Sequence, residues 1–183
     1  MAAIKLLLVV FCYTLISGNG QFNGHLLKQT VTDRSQLVAI AEKEIGVREL
    51  SGNNDGARVE AYLKVTGLRK GNPWCAAYVS WVYRQAGFAA PASAWSPDLF
   101  PASRLTKDVL PGNVLGIFFP EMRRIAHVGL IIKQDGDWIV SVEGNTNVAG
   151  SRNGDGVHLR RRHHRTVYRI ADWVKNGGRC HEI

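Results

Sequence analysis

Three early segments of the chain carry apolar residues at helical spacing. Over residues 35–45, Leu37, Val38, Ile40, Ala41 and Ile45 follow a 3.6-residue repeat, and Asp33, three positions before Gln36, supplies a capping box. That helix is expected to end at Gly46. After a polar loop, Ser51-Gly52-Asn53-Asn54-Asp55-Gly56, the positions of Val59, Tyr62, Leu63 and Val65 predict a second, shorter helix that closes at Gly67. A third is predicted from Pro73 to about Ala86 with Gly87 as its stop, turning Ala76, Tyr78, Val79, Val82 and Tyr83 toward the core. A loop with Pro91, Pro97, Pro101, Trp95 and Phe100 follows. Beyond Pro111 the apolar period shortens to two, which predicts strands over residues 113–119, 125–133, 138–142, 156–161 and 166–170. Helices precede strands, so the expected class is α+β with a mostly antiparallel sheet.

Within this frame Cys75 stands out, in Asn72-Pro73-Trp74-Cys75-Ala76-Ala77-Tyr78-Val79-Ser80-Trp81. Asn is a favoured N-cap and Pro a favoured first helical residue, which puts Cys75 third in the first turn. Unpaired amide N–H groups and the positive end of the helix dipole favour an anion there, and a thiolate is one. The competing readings are a buried structural cysteine and a disulfide with Cys180.

The N-terminus has Lys5, an apolar stretch from Leu6 to Tyr13, and small and polar residues through Ser17-Gly18-Asn19-Gly20. Residues 1–20 therefore read as a secretory signal peptide, with Gln21 the first mature residue. The apolar run is shorter than the roughly 20 residues of a spanning helix. Residues 21–183 are then expected to form a single domain with its core at about 36–170, enough for one hydrophobic core and too few for two. The chain's 183 residues carry a formal net charge of +8, concentrated in Arg160-Arg161-Arg162-His163-His164-Arg165. For an exported protein that cluster is either a solvated strand end or a grip on anionic envelope polymers, in preference to nucleic acid.

A cysteine nucleophile needs a base and a group that orients it. In Ala126-His127-Val128-Gly129-Leu130-Ile131-Ile132, alternation puts Val128, Leu130 and Ile132 on one face and His127 on the other. In the following strand Trp138, Val140 and Val142 make the apolar face, and Ser141, Glu143 and Asn145 the polar one. Asp135-Gly136 signals a hairpin, and matching the apolar faces pairs Leu130 with Val142 and Ile132 with Val140. The same register sets His127 across from Asn145 and Gly129 across from Glu143. Opposed Cβ atoms lie about 5 Å apart and diagonal ones about 7 Å, so His127 reaches either polar partner. This register requires an odd loop or a bulge. No Gly-x-Ser-x-Gly elbow supports a serine mechanism, and one cysteine with scattered histidines is a weak zinc signal.

The strings Trp74-Cys75-Ala76-Ala77-Tyr78-Val79-Ser80-Trp81, Ala126-His127-Val128-Gly129 and Val142-Glu143-Gly144-Asn145, with Pro111-Gly112-Asn113-Val114, resemble the CHAP family of cysteine- and histidine-dependent amidohydrolases/peptidases. The resemblance implies a papain-like fold and hydrolysis of amide bonds in bacterial peptidoglycan. It implies Cys75 as nucleophile, His127 as base, Glu143 as the residue that orients the imidazole, and Asn145 as a further polar member. The substrate cleft is then expected between the third helix and the sheet, with Trp74, Trp95, Asn54 and Asp55 at its rim. Asp55 alone stands out as an acid before the cysteine, so no calcium, other metal or cofactor is expected. A monomer acting in the periplasm, cell envelope or outside the cell completes this expectation. The rival is a catalytically silent envelope-binding protein that uses its basic strand and ties Cys75 to Cys180.

Overall fold

The computed structural model describes Gly24, residues 27–149 and residues 154–175. The proposed signal peptide, Cys12 and Cys180 lie outside the described residues. The chain divides into two compact units, Met1–Asp33 and Arg34–Ile183. Gly24 and residues 27–33 of the first are helical.

The second unit opens with helix α1 (residues 34–43), which ends in a turn through Gly46. Helix α2 (Ala57–Lys64) and helix α3 (Cys75–Gln85) follow. The Pro-rich loop contains short 3-10 turns at Ser96–Leu99 and Ala102–Arg104. Six strands then form one sheet: β1 (Leu105–Thr106), β2 (Val114–Phe119), β3 (Arg124–Asp135), β4 (Trp138–Thr146), β5 (Gly156–His163) and β6 (Arg169–Ala171). Their order is β1-β6-β2-β3-β4-β5, and every pairing is antiparallel. The α+β class with an antiparallel sheet is thus what the periodicity predicts. The edge strand β1 is too short to leave an alternating pattern, and residues 164–166 form a 3-10 turn where a strand start is predicted.

The helices pack on one face of the sheet. Val114, Val128, Leu130 and Val142 meet Tyr62, Leu63, Tyr78, Val79 and Val82 in the main core. Each fully buried aliphatic side chain there is worth about 1.5–3 kcal/mol. A smaller cluster, Leu115, Ile131 and Ile139, fills the opposite face. Gly144 lets α3 approach closely: a Cβ there would lie 2.6 Å from the Trp74 ring and 2.9 Å from Tyr78 Cβ. The first turn of α3 consequently rests on β4.

The hairpin register is the predicted one at Leu130, which pairs with Val142. Further along, it departs. Ile131 pairs with Ser141 and Lys133 with Val140, so Ile132 is the extra residue of a bulge and does not face Val140. The bulge absorbs the odd count and leaves a two-residue turn, Gly136-Asp137, with φ 57° at Gly136. A second bulge, between β2 and β3, leaves Ala126 unpaired beside His127.

Candidate active site

The start of α3 differs in detail from the prediction. Trp74, not Asn72, is the N-cap, and Cys75 is the first residue of the helix. The Asn72 side chain instead donates to the Arg69 carbonyl. Trp74 takes the cap position because its carbonyl accepts the first helical bond, from Tyr78 N–H at 2.8 Å, while its own N–H is held from outside the helix. The holder is Asn145. With the amide oriented by its two partners, its oxygen accepts from Trp74 N–H and its nitrogen donates to the Gly154 carbonyl, each at 2.9 Å. Asn145 therefore fixes the helix start that carries the thiol, and Glu143 is the partner His127 takes.

His127 and Glu143 are almost fully buried, and His127 Nε2 lies 2.8 Å from a Glu143 carboxylate oxygen. Glu143 reaches the imidazole by crossing Gly129, where a Cβ would stand 2.5 Å from Glu143 Cγ. Three further donors hold the carboxylate: Ser141 Oγ at 2.7 Å, Arg162 Nε at 2.9 Å and Arg162 Nη2 at 2.5 Å. Burial raises the Glu143 carboxyl, but Arg162 and His127 outweigh it and hold the group at about 2. Glu143 is a permanent anion behind the ring.

The remaining ring nitrogen, Nδ1, is buried and makes no hydrogen bond of regular geometry. It is the edge left for Cys75, a free cysteine with 5 % of its surface exposed. Burial pushes the thiol up, yet the imidazole of His127, the Ser96 hydroxyl and the Val128 N–H together bring it below the usual thiol range. Burial disfavours the imidazolium in the same way, but the thiolate and Glu143 raise His127 to about 9. Each partner thus favours the charged form of the other, the thiolate of Cys75 and the imidazolium of His127. Ser96 Oγ stands 3.6 Å from Sγ.

The thiol opens on a cleft of about 460 Å³ lined by Leu68, Pro73, Trp95, Ser96, Arg124 and others. Trp95, half exposed, stands at this cleft. Trp74 does not: it is fully buried, stacks on Tyr62 and donates its indole N–H to Glu49. A side chain needed to seat the helix on the sheet has no surface left for substrate. Asn54 lines a separate cavity of about 600 Å³ with Glu49, Asn53 and Asp155. Asp55 turns its carboxylate onto the N–H and hydroxyl of Ser51, which closes the loop locally.

Three side chains at this candidate site escaped the sequence reading. Arg162 belongs to the basic run, which is no uniform surface patch: Arg160 donates to the Val148 carbonyl, Arg161 pairs with Asp135, and Arg162 turns inward to Glu143. Strand alternation separates Arg161 from Arg162, but only the folded side chain, which runs along β4 from its position opposite Ile139, discloses Glu143 as its partner. Ser96 and Arg124 reach the cleft from segments without a local signal. Ser141 was visible on the polar face, though its bond to Glu143 was not.

Such an arrangement suits addition of sulfur to a carbonyl carbon, with the imidazolium available as proton donor. Compared with family models, with curated proteins and with solved structures, the chain matches none of them.

Proposed function

We infer that this chain is an exported cysteine amidase or endopeptidase of papain-like, CHAP-type fold that hydrolyses amide bonds of bacterial peptidoglycan. The observation that carries the reading is the buried relay Arg162, Glu143, His127, with one ring nitrogen left for the Cys75 thiol. The substrate class rests on the motifs around Cys75, His127 and Glu143, and export on the composition of residues 1–20.

In the reaction, the Cys75 thiolate attacks the amide carbonyl and the C–S bond forms. The oxyanion is stabilised by backbone N–H groups at the start of α3, where the first amides have no helical acceptor. His127 gives its proton to the departing nitrogen as the C–N bond breaks, which leaves a thioester. The imidazole, now neutral, takes a proton from water as the hydroxide attacks that thioester. Collapse releases the carboxylic acid and restores the thiolate and imidazolium. Glu143 keeps the ring in place and remains ionised throughout.

Purified peptidoglycan incubated with the protein should release soluble fragments with new amino termini, whose masses identify the cleaved bond. Cys75→Ala should release none. Fragment release that persists in Cys75→Ala, or its absence with the wild-type protein across walls of differing chemistry, would refute the assignment.

A further inference from the structure

The cleft beside Cys75 carries a cation that the chemistry above leaves without a task. Arg124, the first residue of β3, lines this cleft, and its guanidinium carbon stands 4.0 Å from the centre of the Trp95 ring. Its Nη1 donates to the Ile125 carbonyl at 3.1 Å. Among the described residues, Arg34, Arg58 and Arg162 each close on a carboxylate, whereas no ion pair includes Arg124. No acidic residue lines the cleft. An arginine lying over an aromatic ring keeps N–H donors for a second partner, and its fork matches the two oxygens of a carboxylate.

We propose that Arg124 and Trp95 form a carboxylate-recognising subsite, so that the amide attacked by Cys75 carries a free carboxylate on an adjoining residue. As a statement about substrate it rests on the function proposed above; as a statement about an anion site it does not. Trp95 orients the guanidinium, and the largely apolar cleft wall around it strengthens its attraction for an anion relative to open water. The subsite lies within the same cleft as the thiol, so a bound carboxylate would set the register of the scissile bond against Sγ.

Alkylation of Cys75 tests the anion site without a substrate. The rates for iodoacetate and for iodoacetamide are read by mass spectrometry on the peptide that contains Cys75. Their ratio should fall about fivefold in Arg124→Gln. It should hold in Arg124→Lys, which keeps the charge, and in Arg123→Gln, which removes an exposed neighbour. An unchanged ratio in Arg124→Gln overturns the subsite. Peptidoglycan fragments with the carboxylate beside the scissile amide either free or amidated test the substrate. The wild-type protein should prefer the free form by about tenfold or more in kcat/KM; Arg124→Gln should lose that preference, and Arg124→Lys, which keeps the charge without the fork, should keep only part of it. Equal cleavage of both fragments by the wild-type protein overturns the specificity. Fragments left uncut, with an alkylation ratio that still depends on Arg124, overturn the peptidoglycan reading and uphold the anion site.

Discussion

Glu143 in the sheet and Glu44 beside α2 are both buried carboxylates, and each is gripped by the same fork. Arg162 reaches Glu143 through Nε and Nη2, and Arg58 reaches Glu44 through Nε at 2.6 Å and Nη2 at 2.5 Å. Each carboxylate also holds a ring side chain, His127 in one case and Tyr62 in the other. Burial raises both acids, and in both the arginine and the ring more than reverse it. The difference lies in the ring. Tyr62 has one polar atom and gives it to Glu44, while its faces pack on Trp74, Tyr78 and Trp81. Burial and the Glu44 anion push its hydroxyl far above ordinary titration. His127 has two nitrogens, gives one to Glu143 and turns the other toward the thiol. A lock becomes a candidate reactive site when its ring keeps one polar atom unengaged beside a nucleophile.

The sharpest way to break this comparison is to remove each ring's polar function. His127→Ala should reduce hydrolysis by about 10²–10⁴-fold with the fold retained in circular dichroism. Tyr62→Phe should leave hydrolysis nearly intact and lower stability by about 1–3 kcal/mol in denaturant unfolding, because Glu44 loses a donor. Comparable activity losses in the two variants would erase the distinction drawn here.

Removing the arginines comes next. Arg162→Met leaves Glu143 buried with only the imidazole and the Ser141 hydroxyl as partners and should cost about 3–5 kcal/mol of stability. Arg58→Met should cost less, about 1–2 kcal/mol, since the Arg58 side chain is 47 % exposed and water screens its pairing. Urea midpoints measure both, and a larger loss for Arg58→Met would contradict the ranking.

Adding a methyl group at Gly129 probes the geometry and keeps every charge. Gly129→Ala places Cβ against Glu143 Cγ, at 2.5 Å in the present backbone. The carboxylate must move off His127, with a strain of about 1–3 kcal/mol and a loss of hydrolysis. Full activity in this variant would mean that the crossing over Gly129 does not matter.

Electrostatic coupling is tested by pH. Cys75 and Glu143 together raise His127 to about 9, and Glu143→Gln removes one of these two anions, so the imidazole should titrate lower. With less imidazolium beside it the Cys75 thiol should titrate higher. The wild-type alkylation profile should therefore extend to more acidic pH than that of Glu143→Gln, and the alkaline limb of hydrolysis, set by loss of the His127 proton, should retreat to lower pH in the variant. Coincident profiles would show that Glu143 does not bias the pair.

The smallest effect is expected at Ser96, whose hydroxyl stands 3.6 Å from the thiol. Ser96→Ala should slow alkylation about fivefold, equivalent to about 1 kcal/mol. No change would remove Ser96 from the site.

Much of the scaffold was legible because its signals are local. The 3.6-residue and two-residue repeats gave α2, α3 and strands β2 to β5 within a few positions. Cys75 at a helix start, His127 on β3 and Glu143 on the polar face of β4 follow from the same rules. Leu130 with Val142 could be paired in advance, because a slip of one residue would expose a whole apolar face. Ile132 could not, because the bulge depends on how the strands twist and not on the composition of either one. Trp74 reads as cleft rim from the expected cleft between the third helix and the sheet, whereas its full burial depends on Gly144 of a distant strand.

Periodicity, turn residues and the placement of one cysteine and one histidine were therefore set within short stretches of chain. The third dimension chose which arginine of a basic run neutralises Glu143, made Asn145 a support for the helix start, and brought Ser96, Trp95 and Arg124 to the thiol. The reason is physical: a hydrophobic repeat is satisfied by neighbours three or four residues away, whereas a buried charge must find its counter-charge wherever packing delivers one.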